Sequence, residues 1–260
     1  MAWDVTGVRV LITGGSSGLG RAMATVLVAG GAQVMVGSRN ADRLRETQNV
    51  VAHGPGELET IVLDVRDEAS CNQAIARTVD VWGGLDVLVN NAGLGMRVVN
   101  PRFFSDPEPF WTVPPEAFRL VIDTNLTGYY LMARAATPHF LSAGRGKIVN
   151  VTMNHETMRR RGFVPYGPSR AGAESLSLIM QEDLRPYGIA VNQLLPGGAT
   201  RTGMIPDEVP EAARARLLDP MIMAEPIRYL CSAASDGLIG ERLVARDFDQ
   251  WLQQHAAPSP

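Results

Sequence analysis

The sequence predicts a single α/β domain, built as a doubly wound parallel sheet with helices on both of its faces. Short runs rich in β-branched residues alternate with longer segments in which apolar residues recur at helical spacing. The short runs lack an apolar/polar alternation, which is typical of parallel strands covered on both faces. Because the two kinds of segment alternate throughout, we expect right-handed crossovers and one continuous sheet.

Composition limits the possible functions as well as the fold. The 260 residues are 45% hydrophobic, so we expect residues 1–260 to form one domain around one large core. The 24 basic and 27 acidic residues give a net charge of −3 without long runs of one sign, which argues against a nucleic-acid partner. The first residues do not resemble a signal peptide, and no apolar run approaches the roughly 20 residues of a membrane span. We therefore expect a cytoplasmic protein without membrane association.

The cysteines and the last residues give two further expectations. Cys71 and Cys231 lie far apart in the sequence, and we expect both to be reduced thiols in the core. The chain ends in Ala-Ala-Pro-Ser-Pro, and we expect the tail 248–260 to be mobile.

A glycine-rich turn follows the first predicted strand, within residues 8–29, and opens the first helix. A tight turn needs residues that tolerate positive φ, and a closely approaching phosphate needs residues without a Cβ. The helix directs its free N–H groups and its positive dipole end at such an anion. A turn without a ligand is the alternative. The predicted phosphate site consists of Gly14, Ser16, Ser17, Gly18, Leu19 and Gly20.

Two motifs carry a resemblance to a known family. The turn reads Thr-Gly-x-x-x-Gly-x-Gly from Thr13 to Gly20, and Asn-Asn-Ala-Gly occupies residues 90–93 after the fourth predicted strand. Both motifs and their positions resemble the short-chain dehydrogenase/reductase family, over roughly residues 6–247. The resemblance implies a Rossmann-type fold that binds a nicotinamide dinucleotide. It assigns cofactor contacts to Asn91, Ala92 and Gly93.

The end of the second predicted strand, 33–37, indicates which dinucleotide is bound. In a Rossmann unit an acidic residue near this point binds the ribose 2′-hydroxyl of NAD, whereas an arginine accommodates the 2′-phosphate of NADP. Ser38 and Arg39 follow the strand here, and no carboxylate stands at its end. We therefore expect NADP in preference to NAD. The alternative is that Arg39 is an ordinary exposed arginine of a loop.

The remaining elements continue the alternation. Strands are predicted over 59–63, 85–89, 146–152, 189–195 and 240–246, and helices over 41–51, 68–82, 115–142, 166–186 and the end of 206–234. By the resemblance, Asp64 and Val65 line the adenine pocket, although Asp64 or Asp67 could equally cap the next helix. The segment that resembles the family's Pro-Gly loop beside the nicotinamide provides Pro196, Gly197, Thr200 and Thr202.

The connection 94–114 is long and aromatic, with Phe103, Phe104, Phe110 and Trp111. Connections of this length are usually functional or disordered. This one would either wall a substrate pocket or pack against a neighbouring subunit, and its aromatic residues hint at an apolar or ring-bearing substrate. The family resemblance also implies a homodimer or homotetramer, for which the long helices predicted at 115–142 and 166–186 offer packing surfaces.

In the family, hydride transfer between the nicotinamide and a carbonyl or alcohol carbon uses a tyrosine as general acid and base. A free tyrosine titrates near about 10, so it needs a nearby positive charge, which the family's lysine four residues later supplies. Tyr166 stands at the tyrosine position and Arg170 at the lysine position. Arginine supplies charge but is planar and cannot give up its proton. Asn125 matches the family's asparagine, which kinks a helix and holds a water in the proton relay.

The family's serine, which holds the substrate oxygen, lies thirteen residues before the tyrosine, and Met153 stands at that position. A thioether cannot donate a hydrogen bond to a substrate oxygen. Thr152 is adjacent, but we expect it to face away because successive strand side chains point to opposite faces. Asn154 leans into the vacancy if the strand has already ended, which makes it our candidate donor, ahead of His155.

The resemblance implies an oxidoreductase that transfers a hydride between NADP(H) and a small carbonyl or alcohol substrate. Fold alone does not define function, and two alternatives stay open. One is a non-redox enzyme (an isomerase, dehydratase or cyclase) on the same scaffold, and the other is a cofactor-binding protein without turnover. We assign no metal ligands. The atypical catalytic set consists of Tyr166, Arg170, Asn125, Asn154 and Met153.

Overall fold

The computed structural model describes residues 3–51, 54–206, 209 and 211–255. Within these residues seven parallel strands form one sheet in the order β3-β2-β1-β4-β5-β6-β7. The strands are β1 Arg9–Thr13, β2 Gln33–Ser38, β3 Glu57–Val62, β4 Val87–Asn90, β5 Gly146–Val151, β6 Ile189–Leu195 and β7 Arg242–Val244. This arrangement confirms the predicted doubly wound α/β fold.

Helices cover both faces of the sheet. In chain order they are α1 Gly18–Ala29, α2 Ala41–Val51, α3 Glu68–Trp82, α4 Pro115–Ile122, α5 Gly128–Ala143, α6 His155–Met158, α7 Tyr166–Leu184, α8 Glu211–Arg214, α9 Ala224–Cys231 and α10 Phe248–His255. Successive residues of β1 pack into the cores on opposite faces of the sheet, which explains why the strand sequence is apolar throughout. Val10 and Ile12 pack into the core beneath α1 and α9, whereas Leu11 packs into the core beneath α3 and α5. Each such buried side chain contributes about 1.5–3 kcal/mol.

The helix expected over 115–142 is interrupted at the place where the sequence predicts a kink. A π-helical segment, Asp123–Thr127, separates α4 from α5 and contains the buried Asn125. Such segments are common at functional sites. The other differences include shifts of element ends by one to three residues and the short helices α6 and α8, which the sequence does not predict. The connection 94–114 also contains two short 3-10 turns, Met96–Val98 and Phe110–Thr112.

The expectation of a mobile tail from residue 248 is wrong for its first part. Residues 248–255 form α10, whose Phe248 is 3% exposed and stacks with Trp251 at a centroid distance of 6.1 Å. Trp251 also packs edge-to-face on Tyr229 of α9. The apolar residues of 248–252 therefore close the core beneath α9, a tertiary contact that the polar composition of the tail hides. Residues 256–260 lie outside the described part of the chain.

Both cysteines are free and buried, as predicted. Burial raises the pKa of the Cys71 and Cys231 thiols to about 12, so neither is a reactive thiolate at neutral pH. Over the described residues, no helix has both the length and the apolar character that crossing a bilayer requires.

The strand order places a crevice at the carboxyl ends of β1 and β4. From β1 the chain winds outward through β2 and β3 and then returns to β4 on the other side of β1. Ligands of doubly wound sheets bind outside the strand ends at such a reversal. The glycine-rich turn after β1 and the Asn-Asn-Ala-Gly segment after β4 therefore come together there, beside the ends of β5 and β6.

Candidate active site

Asn91 holds the glycine-rich turn against the end of β4. Its Nδ2 donates to the carbonyl oxygens of Thr13 and Gly14 at 3.0 and 3.1 Å. The backbone N–H groups of Asn91 and Ala92 each donate to Oγ1 of Thr13 at 3.0 Å. The two motifs that the sequence singles out are therefore parts of one rigid structure at the crevice.

Glycine is required in the turn for conformation and for space. Gly14 and Gly18 have φ of 66° and 53°. A Cβ at Gly14 would lie 2.7 Å from the Cα of Ala92, and a Cβ at Gly18 would lie 3.0 Å from Cγ2 of Thr202. The side chain of Thr202 thus lies against the turn at Gly18, and the place of its segment beside the nicotinamide stays a prediction.

The N-terminus of α1 is open to an anion. Ser17 is extended and its side chain does not cap the helix. The backbone N–H groups of residues 18–20 have no acceptor in the described chain. Arg21 donates through Nη2 to the carbonyl oxygen of Ser16 at 2.5 Å, which fixes the turn without blocking these donors. Free N–H groups at the positive end of a helix are a suitable site for a phosphate.

Ser38 and Arg39 lie at the end of β2 as predicted. Ser16 Oγ donates to Ser38 Oγ at 2.8 Å, so the turn and the strand end are linked. The side chain of Arg39 is exposed, and its charge is close enough to Asp64 to help lower the pKa of that carboxyl.

Asp64 and Val65 follow β3, and their side chains have different surroundings. Asp64 is paired with an arginine, whereas Val65 is buried. A hydrogen bond from Arg66, at 2.5 Å from Nη2 to Oδ2, is the largest cause that lowers the Asp64 pKa. Asp67, rather than Asp64, caps α3 by accepting from the N–H of Ala69 at 3.0 Å. Val65 is 6% exposed and packs on α5, where a Cβ at Gly128 would lie 2.7 Å from its Cγ2.

Asn125 fastens the connection that follows β4 to α7. Its Oδ1 accepts from the N–H of Leu94 at 2.7 Å, and its Nδ2 donates to the carbonyl oxygen of Leu94 at 2.9 Å. The same Nδ2 lies 3.0 Å from Oγ of Ser169 on α7. Asn125 is completely buried, and both polar atoms of its amide form hydrogen bonds that hold these segments together.

The first turns of α7 carry Tyr166, Arg170 and Glu174, spaced four residues apart on one side of the helix. Arg170 is 3% exposed, and its Nη1 donates to the phenol oxygen of Tyr129 at 2.6 Å and to the carbonyl oxygen of Val151 at 2.9 Å. Its guanidinium carbon lies 5.5 Å from the ring centroid of Tyr166. Arg170 therefore brings a positive charge to the tyrosine, as predicted for this spacing.

The buried charge of Arg170 is accommodated by aromatic and backbone groups. Burial disfavours the charged guanidinium, but Tyr129 and Tyr166 more than offset this effect, and the pKa of Arg170 is raised. Burial also raises the pKa of the Tyr129 phenol, although Arg170 opposes this. A Cβ at Gly93 would clash with Nη2 of Arg170, so the glycine of the Asn-Asn-Ala-Gly motif makes room for the guanidinium.

Met153 lies in an apolar cluster together with Tyr166. Met153 is 9% exposed, and the cluster contains residues from the connection 94–114 and from the segment before α7. Arg160 lies over the rings of Phe104 and Phe163, at 5.3 and 5.1 Å from their centroids, and so links these two segments. We call this set the Met153 cluster: Met96, Val99, Phe103, Phe104, Met153, Met158, Phe163 and Tyr166.

A charged network fixes the backbone around Met153. Oε1 of Glu174 accepts from Oγ1 of Thr152 at 2.7 Å and from Nε of Arg242 at 3.0 Å. Nη2 of Arg242 donates to the carbonyl oxygen of Met153 at 2.7 Å. His155 Nε2 lies 2.8 Å from Oε2 of Glu174. The hydroxyl of Thr152 is therefore held by Glu174, and the expectation that it faces away from Tyr166 stays a prediction.

The side chain of Asn154 is hydrogen-bonded to the loop after β6. Its Nδ2 donates to the carbonyl oxygen of Gly197 at 3.2 Å. Gly197 has φ of 89°, and a Cβ there would lie 2.8 Å from Cγ1 of Val244. Asn154 therefore links two loops, and its role as the donor in place of the serine stays a prediction. Nearby, Pro196 accepts a backbone hydrogen bond from Arg246, and Thr200 Oγ1 donates to the carbonyl oxygen of Gly198.

Sequence reasoning misses three residues that the structure brings to this site. Tyr129 lies one helical turn after Asn125, and that spacing is a signal that could have found it. Glu174 likewise lies one turn after Arg170. Arg242 comes from the last strand, and no local pattern connects it to Met153. Only the order of the sheet places β7 beside β6 and close to the end of β5.

Comparison with known proteins decides the family. A model of the short chain dehydrogenase family matches residues 8–212, which is most of the chain. The chain belongs to the short-chain dehydrogenase family. Relatives of this family include the 2,5-dichloro-2,5-cyclohexadiene-1,4-diol dehydrogenase of Sphingobium indicum, which is 29% identical and aligns over 92% of this chain and 95% of its own. The 2-(R)-hydroxypropyl-CoM dehydrogenase of Xanthobacter autotrophicus is 34% identical over 72% of each chain.

Solved structures of the short-chain dehydrogenase family have the same fold. Levodione reductase superposes with a TM-score of 0.82 at 26% identity, covering 93% of this chain and 96% of its own. The 3-ketoacyl-(acyl-carrier-protein) reductase of Brucella melitensis, in complex with NADH, gives 0.81 at 28% identity, covering 93% and 97%. The chain is thus similar to several dehydrogenases and reductases, and their names indicate widely different substrates.

The residues of the crevice fit the nicotinamide dinucleotide that the short-chain dehydrogenase family binds. The open N–H groups at residues 18–20 match a pyrophosphate, and the glycines of the turn leave its surface without side chains. The segments 91–93 and 196–202 border the same crevice through their contacts with Gly14 and Gly18. When bound, the nicotinamide would supply or accept the hydride.

Proposed function

We propose that this protein is an NADP(H)-dependent oxidoreductase that interconverts a carbonyl compound and an alcohol. The observation that carries the proposal is the position of the buried Arg170 guanidinium, 5.5 Å from the ring centroid of Tyr166 at the edge of the cofactor crevice. No carboxylate in the described chain forms an ion pair with Arg170, so its charge is available to the tyrosine. Family membership supports the reaction class.

In carbonyl reduction Tyr166 donates its hydroxyl proton to the substrate oxygen as the carbon is reduced. Negative charge then develops on the phenol oxygen, and the fixed charge of Arg170 stabilises it in a low-dielectric site. In alcohol oxidation Tyr166 accepts the proton instead. Because the pKa of Arg170 is raised, the guanidinium cannot pass this proton on. Tyr166 is partly exposed, so we infer that it exchanges its proton directly with water.

NADP is the cofactor that the end of β2 favours. Arg39 is an exposed positive charge there, and Ser38 adds a hydroxyl beside it. The nearby carboxylate of Asp64 follows β3 and is held by Arg66. A 2′-phosphate is therefore better supported than a 2′-hydroxyl that needs a free carboxylate.

Self-association is part of the same proposal. Helices α5 and α7 expose apolar side chains, including Tyr130 at 47%, Leu178 at 54% and Ile179 at 58%. Covering them with a second copy would support a homodimer or homotetramer. The cytoplasmic location inferred from the sequence remains a prediction, and the two free buried thiols support it.

The test is oxidation of NADPH with a panel of ketones, comparing the wild type with Tyr166→Phe. General acid–base catalysis contributes about 10²–10⁴-fold, so Tyr166→Phe should lose at least about 100-fold in kcat. Tyr187→Phe, at an exposed tyrosine after α7, is the matched control and should keep full activity. Turnover that persists in Tyr166→Phe, or cofactor binding without any turnover, would overturn the proposal.

A further inference from the structure

The side of Tyr166 that faces the connection 94–114 is lined by apolar groups. Met96, Phe103, Met153 and Phe163 are each 9% exposed or less, and all belong to the Met153 cluster with Tyr166. Phe163 lies 5.7 Å from Phe103 and 6.4 Å from Tyr166 between ring centroids. A substrate body on this side of the Tyr166 ring would therefore contact thioether and aromatic side chains.

Four polar side chains next to this cluster already have partners elsewhere, whereas the guanidinium of Arg160 lies over the rings of Phe104 and Phe163. Thr152 is bonded to Glu174, Asn154 to Gly197, and Asn125 to Leu94 and Ser169. Asn100, which is 5% exposed, donates to the carbonyl oxygen of Asp106 and accepts from the N–H of Arg102. A substrate hydroxyl that approached these four side chains would have to displace one of their bonds or stay without a partner among them.

A mostly apolar cavity continues the cluster on its outer side. Phe104 belongs to both, and the cavity of about 220 Å³ also has Pro101, Pro206 and Val209 in its wall, together with the polar Arg102 and Ser105. An apolar cavity of about 150 Å³ is sufficient for benzene. The cavity beyond Phe104 therefore has room for a hydrocarbon ring.

We propose that the substrate is an apolar ketone or the corresponding secondary alcohol, with an alkyl or ring body and no hydroxyl group near the reacting carbon. This inference rests on the proposed function and names the substrate class of the same site. Of the kinds of substrate named for the similar proteins, the proposed site favours ring-bearing, weakly polar compounds over polyhydroxylated acids. Apolar sites reject an added hydroxyl by about 10–100-fold, and the effect grows with each unpaired polar group.

The experiment compares two ketones that share one carbon skeleton, cyclohexanone and 2,3,4,5,6-pentahydroxycyclohexanone. With NADPH and wild-type protein, kcat/KM should be at least about 100-fold higher for cyclohexanone. Binding of both ketones to the Tyr166→Phe protein, followed by saturation-transfer NMR in the presence of NADP, should show the same preference without turnover. Equal or stronger binding of the pentahydroxy compound overturns the inference, whether or not it is reduced.

These two readouts separate the inference from the proposed function. Turnover of the polyol that depends on Tyr166 would overturn the substrate class and leave the oxidoreductase assignment intact. Selective binding of cyclohexanone without reduction would support the apolar site and contradict the oxidoreductase assignment. Absence of cyclohexanone binding overturns the inference as well.

Two variants of Met96 test whether the cluster sets the preference. Met96→Gln keeps the length of the side chain but introduces an amide, and it should reduce the preference for cyclohexanone by about tenfold. Met96→Leu keeps the site apolar and should leave the preference unchanged, because Leu and Met exchange with little loss of packing. Thermal unfolding of both variants checks that they are folded. An unchanged preference in a folded Met96→Gln protein would contradict a role for the cluster.

Discussion

Nη1 of Arg170 lies 2.6 Å from the phenol oxygen of Tyr129, and both side chains are buried beneath the segment that follows β4. Tyr129 in turn donates its hydroxyl proton to the carbonyl oxygen of Val151 at 3.0 Å. The guanidinium is thus held from α5 and from the end of β5, while its carbon remains 5.5 Å from the ring centroid of Tyr166. An arginine at this place requires such a partner, because the planar group needs fixed acceptors.

Tyr129→Phe should lower both stability and activity. It removes the hydroxyl that accepts from Arg170 and leaves a buried charged donor with fewer partners, which costs about 1–3 kcal/mol. We expect the Tm to fall by several degrees. We also expect the fold-decrease in kcat to be larger than the fold-change in KM. Tyr130→Phe, at the adjacent but half-exposed tyrosine, is the control and should behave as the wild type. Calorimetry and initial rates measure these effects, and an unchanged Tm would refute the role assigned to Tyr129.

Arg39→Ala should weaken NADP binding while leaving NAD binding nearly unchanged. A hydrogen bond to a charged group contributes about 1.5–3 kcal/mol, so the Kd for NADP should rise tenfold or more. Arg77→Ala removes an equally exposed charge from α3 and should affect neither cofactor. Fluorescence titration with both cofactors gives the answer. Tighter binding of NAD by the wild type, or an equal loss for both cofactors in Arg39→Ala, would show that Arg39 is only an exposed arginine.

Glu174→Gln should destabilise the protein at neutral pH and not in acid. Burial raises the Glu174 pKa, but hydrogen bonds from Thr152, Arg242 and His155 outweigh it, so the pKa is lowered on balance. A lowered folded-state pKa means that the carboxylate stabilises the fold above its unfolded pKa of about 4.3. That contribution disappears as the pH falls through the lower folded value.

The difference in Tm between wild type and Glu174→Gln should therefore be largest near pH 7 and shrink below about pH 4.5. Because Glu174 holds Arg242 and Thr152 around Met153, the variant should also lose kcat, and Glu174→Asp should restore part of it. Melting curves across this pH range, with Glu182→Gln at an exposed glutamate of α7 as control, decide the point. A pH-independent difference would mean that the charge of Glu174 is not what stabilises this network.

Leu178→Glu should disrupt self-association. Leu178 is 54% exposed on α7, and a carboxylate buried there in an interface would lack a partner. We expect the dissociation constant of the oligomer to rise at least tenfold in analytical ultracentrifugation. Val62→Glu, at a similarly exposed valine at the end of β3, should leave it unchanged. A wild type that sediments as a monomer at micromolar concentration would contradict the proposed assembly.

The fold and the cofactor crevice follow from local patterns, because each strand, turn and helix start has its own signal. The turn at Gly14 and the segment at Asn91 could be placed together because parallel strands end at the same edge of the sheet. The surroundings of Met153 could not be predicted in this way. The contact of Arg242 with the Met153 carbonyl joins residues 89 positions apart, and the turn of Asn154 toward Gly197 depends on how two loops pack. The helix at residues 248–255 is a similar case, since its stability comes from packing against α9.

Met153→Ser combined with Arg170→Lys should raise carbonyl reductase activity. The side chain of residue 153 lies in the same cluster as Tyr166, and Arg242 holds its carbonyl oxygen. We therefore expect the hydroxyl of a serine at this position to lie on the same side as the substrate oxygen that Tyr166 protonates. Lysine places a compact charge near the hydroxyl of Tyr129 and the carbonyl of Val151, the partners that Arg170 now uses. One well-placed donor to developing charge contributes about 10²–10³-fold in rate, so we expect a gain of tens-fold or more.

The measurement is NADPH oxidation by both proteins over one panel of ketones and quinones, with Tyr166→Phe as the blank. Met153→Ala with Arg170→Lys is the matched control, because it opens the same space without adding a donor and should not gain. If the wild type is already tuned around Met153 and Arg170, the double variant will be slower on the true substrate. No gain on any substrate, together with strong Tyr166-dependent turnover by the wild type, would show that these two residues serve catalysis rather than weaken it.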